Sequence, residues 1–317
     1  MSLEFVKISS NVAIFEDVLI INAYLFGKMK LIKSFLAVCM MVILCASVVQ
    51  GCSKSADKEF VIYDCLFYPG KPDLTVEGLQ KIKLVYESHL LTDGLIDMDK
   101  VNARIKEVND AGLKVISTDI ESWYWKNECT GEYMRDSLAK IYDAFRAGIE
   151  GVSLGNYGLP LGTLNIARYV ESMEGKSEEE LRAALMNDNK RLEASGISDV
   201  LYPSLYIYGP DIDQWIADLK TTVEYAKSYF PDKKIVGYIW SQYYDWKTSP
   251  YYMQFISEED FLKMLEASYE HLDGVILWAH GRDADNKTKV NWDDERVQGI
   301  YRAIKRFISN HNLNQAK

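Results

Sequence analysis

Asp119 and Glu121 lie two residues apart at the end of an apolar, β-branched run, within the stretch 115–125 that reads VISTDIESWYW. On a strand, side chains two apart point to the same side, so the two carboxylates would share one wall. Burying one carboxylate costs energy, and placing a second beside it raises the proton affinity of at least one of them. A carboxyl that keeps its proton in this way can act as a general acid. Asp-x-Glu alone is a common spacing, so its weight depends on the strand that carries it and on what gathers around it.

What gathers is aromatic. Tyr157 follows one apolar run in GNYGLP, and Tyr202, Tyr206 and Tyr208 end another in YPSLYIYG. Trp240, Tyr243, Tyr244 and Trp246 fall in GYIWSQYYDW, and Trp278 is followed by His280 and Arg282 in LWAHGR. Flat rings with polar edges match the apolar faces and hydroxyl rims of sugars, so a carboxylate pair walled by Tyr and Trp predicts a glycan cleft. For any one ring, capping a core is an equal alternative.

Other chemistries are poorly supplied. The four histidines, at 89, 271, 280 and 311, have no His-Glu-x-x-His or similar ligand spacing, so no catalytic metal is expected. There is no Gly-x-Gly-x-x-Gly turn after the first strand. No cofactor is implied.

The elements that must position these groups alternate along the chain. Strands are expected at 60–66, 82–87, 114–120, 151–155, 200–207, 235–240 and 274–279. Between them, apolar residues recur at helical spacing: Val101, Ile105 and Val108; Leu138, Ile141, Tyr142 and Phe145; Trp215, Leu219, Val223 and Ala226. Ser177 with Glu180 and Ser257 with Asp260 are helix-start signals, and a last helix is expected at about 293–309. Continuous apolar strands are buried on both faces, as in parallel sheets covered by helices. The expected fold is therefore α/β: a (β/α) barrel, distorted and TIM-like, with about seven parallel strands and the carboxylates at its C-terminal, active-site face.

The first fifty residues read differently. From Met29, MKLIKSFLAVCMMVILCASVVQGC has a basic start at Lys30 and Lys33, an unbroken apolar run, then small residues before Cys52, the layout of an export signal. Gly51-Cys52 resembles a bacterial lipoprotein processing site, with Cys52 as the lipidated residue. The expected organisation is an upstream start outside the mature product at 1–28, a signal at 29–51, a short linker at 52–58 and one catalytic domain at 59–317. That places the protein outside the cytoplasm, lipid-anchored to a bacterial outer membrane; plain secretion with cleavage near Gln50 is the alternative. Without residues 1–51 the chain keeps 32 basic and 43 acidic residues, a net charge of −11, with no nucleic-acid footprint. Such a surface disfavours polyanionic ligands unless a local groove is basic. Cys65 and Cys129 remain outside the signal and anchor, enough for one disulfide.

Four stretches in order resemble the hyaluronidase family of glycoside hydrolases: Asp119-x-Glu121-x-Trp123; Tyr157-x-x-Pro160; Asn187-Asp188, Ser195 and Tyr202-Pro-Ser-Leu-Tyr206; and Leu277-Trp278. The resemblance runs from about residue 60 to 300. It implies Glu121 as proton donor, Asp119 as the carboxylate that orients the substrate's acetamido group, Tyr157 and Tyr206 as pocket tyrosines and Trp278 as pocket tryptophan. It also implies hydrolysis of β-linked N-acetylhexosamine glycans with the acetamido oxygen as nucleophile. Trp123, Tyr202, Tyr208, Trp240, Tyr243 and Arg282 are further candidates for substrate contact. Tyr124 and Trp125 stand where the family has Arg and Pro, and 161–164 departs from the family's fourth-strand turn.

The expected partner is a glycan, with the membrane met only through the lipid, and the expected form is a monomer. Two other readings stay open: a non-catalytic glycan-binding lipoprotein on the same barrel, and a conventional carboxylate pair of Glu121 with Asp245 or Asp283.

Overall fold

The computed structural model describes residues 58–126, 128–162, 177, 179–180, 189–245, 247 and 249–313. The signal at 29–51, Cys52, Asn187-Asp188 and Trp246 lie outside the described residues. Glu59–Lys317 forms one compact unit.

In chain order its elements are β1 (Val61–Leu66), β2 (Gln80–Lys81), β3 (Lys83–Tyr86), β4 (Leu91–Thr92), β5 (Leu95–Ile96), α1 (Met98–Asp110), β6 (Val115–Asp119), α2 (Ser122–Trp125), α3 (Gly131–Gly148), β7 (Ser153–Asn156), α4 (Asn189–Ser195), β8 (Val200–Leu201), α5 (Ile212–Tyr229), β9 (Lys234–Trp240), α6 (Glu258–His271), β10 (Gly274–Ala279) and α7 (Glu295–Asn310). Each of the seven expected strand segments contains strand structure, and all of their ladders are parallel. The chain has the parallel α/β barrel fold of TIM type.

One parallel sheet runs β2-β1-β10-β9-β8 and another runs β3-β6-β7. They meet at two seams. The segment 80–86 pairs with β1 at Gln80 and Lys81 and with β6 from Lys83 to Tyr86. At the other seam a parallel bridge joins Tyr157 to Tyr202 just beyond β7 and β8. Across the interior, the Tyr238 hydroxyl on β9 donates to Ser117 Oγ on β6 at 2.7 Å.

The expected strand at 200–207 is the exception in length, since β8 is two residues long. Pro203 has no N–H to give to a ladder. Its carbonyl still accepts Tyr238 N, and Leu205 N reaches the Tyr238 carbonyl, both at 2.9 Å. The chain therefore follows β9 through single bridges instead of a continuous strand.

The helices follow the predicted stripes. Val101 and Val108 are the buried residues of α1, and Leu138, Ile141, Tyr142 and Phe145 are buried on α3. Ser257 Oγ caps α6 by accepting Asp260 N at 3.1 Å. Among the described residues no helix is long and apolar enough to cross a membrane. Cys65 and Cys129 are both buried and free, and sit in separate core clusters, so the disulfide that their number permits is not formed.

The sequence reading did not include the antiparallel hairpin of β4 and β5 or the short helix α2. The turn of the hairpin is Asp93-Gly94, both at positive φ (51° and 80°), and Asp-Gly is a favoured dipeptide for a two-residue hairpin turn.

Candidate functional site

β6 ends at Asp119, and Glu121 is already in helical conformation (φ −87°, ψ −26°) at the start of α2. The strand-alternation argument therefore fails for Glu121, which a local turn aims instead. The two carboxylates nevertheless border the same hollow. Asn156, at the end of β7, holds the turn: its Oδ1 accepts Thr118 Oγ1 at 2.7 Å and Ile120 N at 3.3 Å, and its Nδ2 donates to the Tyr157 carbonyl at 3.0 Å. Glu87 Oε2 accepts Ser122 N at 3.1 Å from the other side. Behind the turn, Tyr124 donates its hydroxyl to the Tyr157 carbonyl at 2.6 Å, and the Arg191 guanidinium lies 3.7 Å from its ring centre.

The hollow has a volume of about 180 Å³ and is walled by Tyr157, Tyr206, Tyr238, Trp240, Tyr244 and Trp278, with Leu84, His280 and Asp245 completing it. Tyr206 is central, its ring centre 5.6 to 5.8 Å from those of Trp240, Tyr244, Tyr157 and Trp278. The Tyr157 hydroxyl donates to Ser204 Oγ at 3.0 Å. Burial holds the Tyr157 and Tyr206 phenols far above their ordinary range, so both remain neutral hydroxyls.

Burial, then the charges of Glu121 and Glu87, push the Asp119 carboxyl from 3.8 up to about 7. Its Oδ1 is buried without a hydrogen-bond partner. A buried acceptor left in that state calls for an explanation, and a donor brought by a ligand is one. His280 is lowered to about 4 by burial and by Arg282. Its Nδ1 accepts Arg282 N at 3.1 Å, so it lines the hollow as a neutral ring beside Trp240 and Trp278.

Asp119, Glu121, Tyr157, Tyr206, Trp240 and Trp278 thus come together as the sequence predicts. Five other candidates stand outside the lining. Trp123 is 1% exposed, packed edge-on to Tyr133 behind the turn. Tyr202 is fully buried in the barrel, where it supports Tyr238. Tyr208 stacks on Tyr244 from outside at 4.7 Å, and Tyr243 turns toward Tyr251. Arg282 is exposed and donates to the Asn286 carbonyl. Strand alternation cannot distinguish these residues, because all five belong to irregular segments or short elements where it no longer applies.

Of the two alternative carboxylate partners, Asp245 borders the hollow, whereas Asp283 is held by a two-point ion pair with Arg296 at 2.9 and 3.1 Å. Tyr238 was missed, although Gly237-Tyr238-Ile239-Trp240 puts it two residues before Trp240 on the same face of β9. Also missed was a second hollow of about 560 Å³ beside the first, bordered by Tyr86, Glu87, Ser88, Leu91, Asp93 and Gly94, with Asp119 and Glu121 common to both. Among the described residues no cluster of three or more His, Cys, Asp or Glu is arranged to hold a metal ion.

No family profile matches the chain, and no curated protein sequence is similar to it. Solved structures of similar fold include glycoside hydrolases. Bee venom hyaluronidase in complex with a hyaluronic acid tetramer aligns with a TM-score of 0.51 at 16% identity, over 80% of this chain and 98% of that one. A Bacteroides ovatus GH5 xyloglucanase in complex with a heptasaccharide gives 0.39 at 13% identity over 75% and 68%. An endo-β-1,4-mannanase from Thermotoga petrophila gives 0.37 at 11% over 83% and 78%. At 16% identity the likeness to the hyaluronidase is one of fold.

Proposed function

We propose that the protein is a glycosidase that cleaves N-acetylhexosamine-containing glycans with retention, using the substrate's acetamido group as nucleophile. The observation that carries this reading is the meeting of Asp119 and Glu121 on one aromatic-walled hollow, with Asp119 proton-hungry and its Oδ1 unpartnered. Glu121 donates its proton to the glycosidic oxygen as the acetamido oxygen attacks the anomeric carbon. The C–O bond breaks, the leaving sugar departs with the proton, and a cyclic oxazolinium-like intermediate remains. Asp119 accepts the acetamido N–H and, once ionised, balances the positive charge. Tyr157 and Tyr206 hydrogen-bond the acetamido group, and Trp278 packs against its methyl or the sugar face. Water then opens the ring while Glu121 takes back a proton. The protein carboxylate that would otherwise sit ~5 to 5.5 Å from the acid in a retaining enzyme is replaced by the substrate.

Incubation with a glycan panel tests the reading: new reducing ends are expected, and their absence from every glycan points to a binding protein on the same scaffold. Asp245 on the hollow's border favours the conventional pair as second reading. A thiazoline analogue of the cyclised intermediate separates the two, since it blocks only substrate assistance.

With its carboxyl raised to about 7, Asp119 holds a proton below that pH and is ionised above it. Because the ionised form of Asp119 is the one that accepts the acetamido N–H, we expect kcat/KM to rise with pH toward about 7, tenfold per pH unit on the acid limb; a profile flat from pH 4 to 7 contradicts the assignment.

Export and anchoring through Cys52 belong to the same proposal. Cys52→Ser is expected to abolish labelling by radioactive palmitate in a bacterial host and to release the protein from the membrane fraction; undiminished labelling removes the anchor.

A further inference from the structure

The two hollows share only Asp119 and Glu121. A general acid protonates the oxygen that joins two sugars, so it must stand between the sugar being attacked and the sugar that leaves. The acetamido group needs apolar walls and neutral donors, which the aromatic hollow supplies. The leaving sugar then lies in the other hollow, against Tyr86, Glu87 and Asp93. We propose that this second hollow is the leaving-group subsite, and that Glu87 and Asp93 make it selective for an uncharged sugar over a uronate. This rests on the glycosidase reading above and adds the substrate class that its site admits.

The charges support it. All the ionisable side chains that border the hollow, Tyr86 apart, are carboxylic: Glu87, Asp93, Asp119 and Glu121. Of the neighbouring cations, Lys100 donates to the Ser88 and Leu91 carbonyls. Lys126, exposed, approaches Gly94 at the rim. Glu87 is fixed by Ser122 N, and Asp93 by the hairpin turn, so neither side chain's backbone frame is free to swing away from an incoming anion. A carboxylate on the leaving sugar would be drawn from water toward like charges, which costs affinity in the ground and transition states alike.

The test uses β-1,4-linked N-acetylglucosamine oligomers and the same oligomers oxidised to a carboxylate at C6 of the leaving sugar, cleaved by the wild-type protein, Asp93→Asn and Glu87→Gln/Asp93→Asn. These substitutions keep the geometry: Gln can still accept Ser122 N, and Asn tolerates the left-handed φ of residue 93. The quantity read is the ratio of kcat/KM for the uncharged and oxidised oligomers, in which any effect of the substitutions on the chemical step cancels. The wild-type ratio is expected to favour the uncharged oligomer by about tenfold or more, equivalent to about 1.4 kcal/mol. It should shrink by about tenfold in the double variant and also on raising the salt concentration. Equal cleavage of both oligomers by the wild type, or a ratio unmoved in the double variant, overturns the subsite while leaving the glycosidase reading intact. Cleavage of neither oligomer, together with no new reducing ends from the wider panel, overturns both.

Discussion

Glu121→Gln is expected to lower turnover by ~10²- to 10⁴-fold, the range for loss of a general acid, with little change in thermal stability. The fold tolerates the change because Gln matches Glu in shape and the Glu121 side chain is not the cap of α2. What holds the turn is instead Asn156 on the Ile120 amide, Glu87 on the Ser122 amide and Tyr124 on the Tyr157 carbonyl. A substrate with a good leaving group, such as a nitrophenyl glycoside, should recover much of the first step, because it departs without a proton. Steady-state rates on both substrate types check this, and wild-type turnover in the variant removes Glu121 from its role.

Asp119→Asn should produce opposite effects on activity and stability. Activity falls, by ~10²- to 10³-fold for loss of a preorganised electrostatic partner. Stability rises, with a defined pH dependence. The unfolded carboxyl titrates near its ordinary 3.8 and the folded one near 7. Between those values the native state binds more protons than the unfolded state, so the wild type loses stability as pH rises from about 4 to about 7, and the full cost is present above 7. Holding the ionised carboxylate in the folded site therefore costs about 4 kcal/mol at high pH. The buried amide that replaces the carboxylate carries its own desolvation cost, which leaves a net gain of roughly 2 to 4 kcal/mol. Urea unfolding of both proteins at pH 4.5 and 8 reads it: the stability difference should be large at pH 8 and small at pH 4.5. A difference independent of pH means that Asp119 is not the strained group.

The activity and stability effects share one origin, a carboxylate held where its charge is poorly solvated until a substrate supplies a donor. Glu121 and Glu87 add to that strain and also border the place where the leaving sugar would enter. A site of this kind trades stability for reactivity, and the surrounding barrel, with β1, β9 and β10 almost wholly buried, carries the cost.

Much of this was legible in the chain. Runs such as Gly274–Ala279 and Lys234–Trp240 read as strands because they are apolar on both faces, and helices α1, α3 and α5 read from their three-and-four spacing, a purely local signal. Six residues that border the aromatic hollow were legible because they fall at or beyond strand ends, where a parallel barrel must place them. Glu87, Asp93 and Tyr238 were not picked out, since a carboxylate after Tyr86, a hairpin turn and one ring among twenty-one tyrosines look ordinary until the chain closes on itself.

The sequence by itself determined the strand and helix order, the parallel α/β class and the presence of a carboxylate pair among rings, because these depend on residue type and near-neighbour spacing. Only the tertiary structure decided which rings face that pair, how the turn after Asp119 aims Glu121, and that Glu87 and Asp93 arrive beside it from another part of the chain. Those outcomes depend on backbone turns and on contacts between distant segments, such as Asn156 with Ile120 and Ser122 with Glu87, and no periodicity along the chain encodes them.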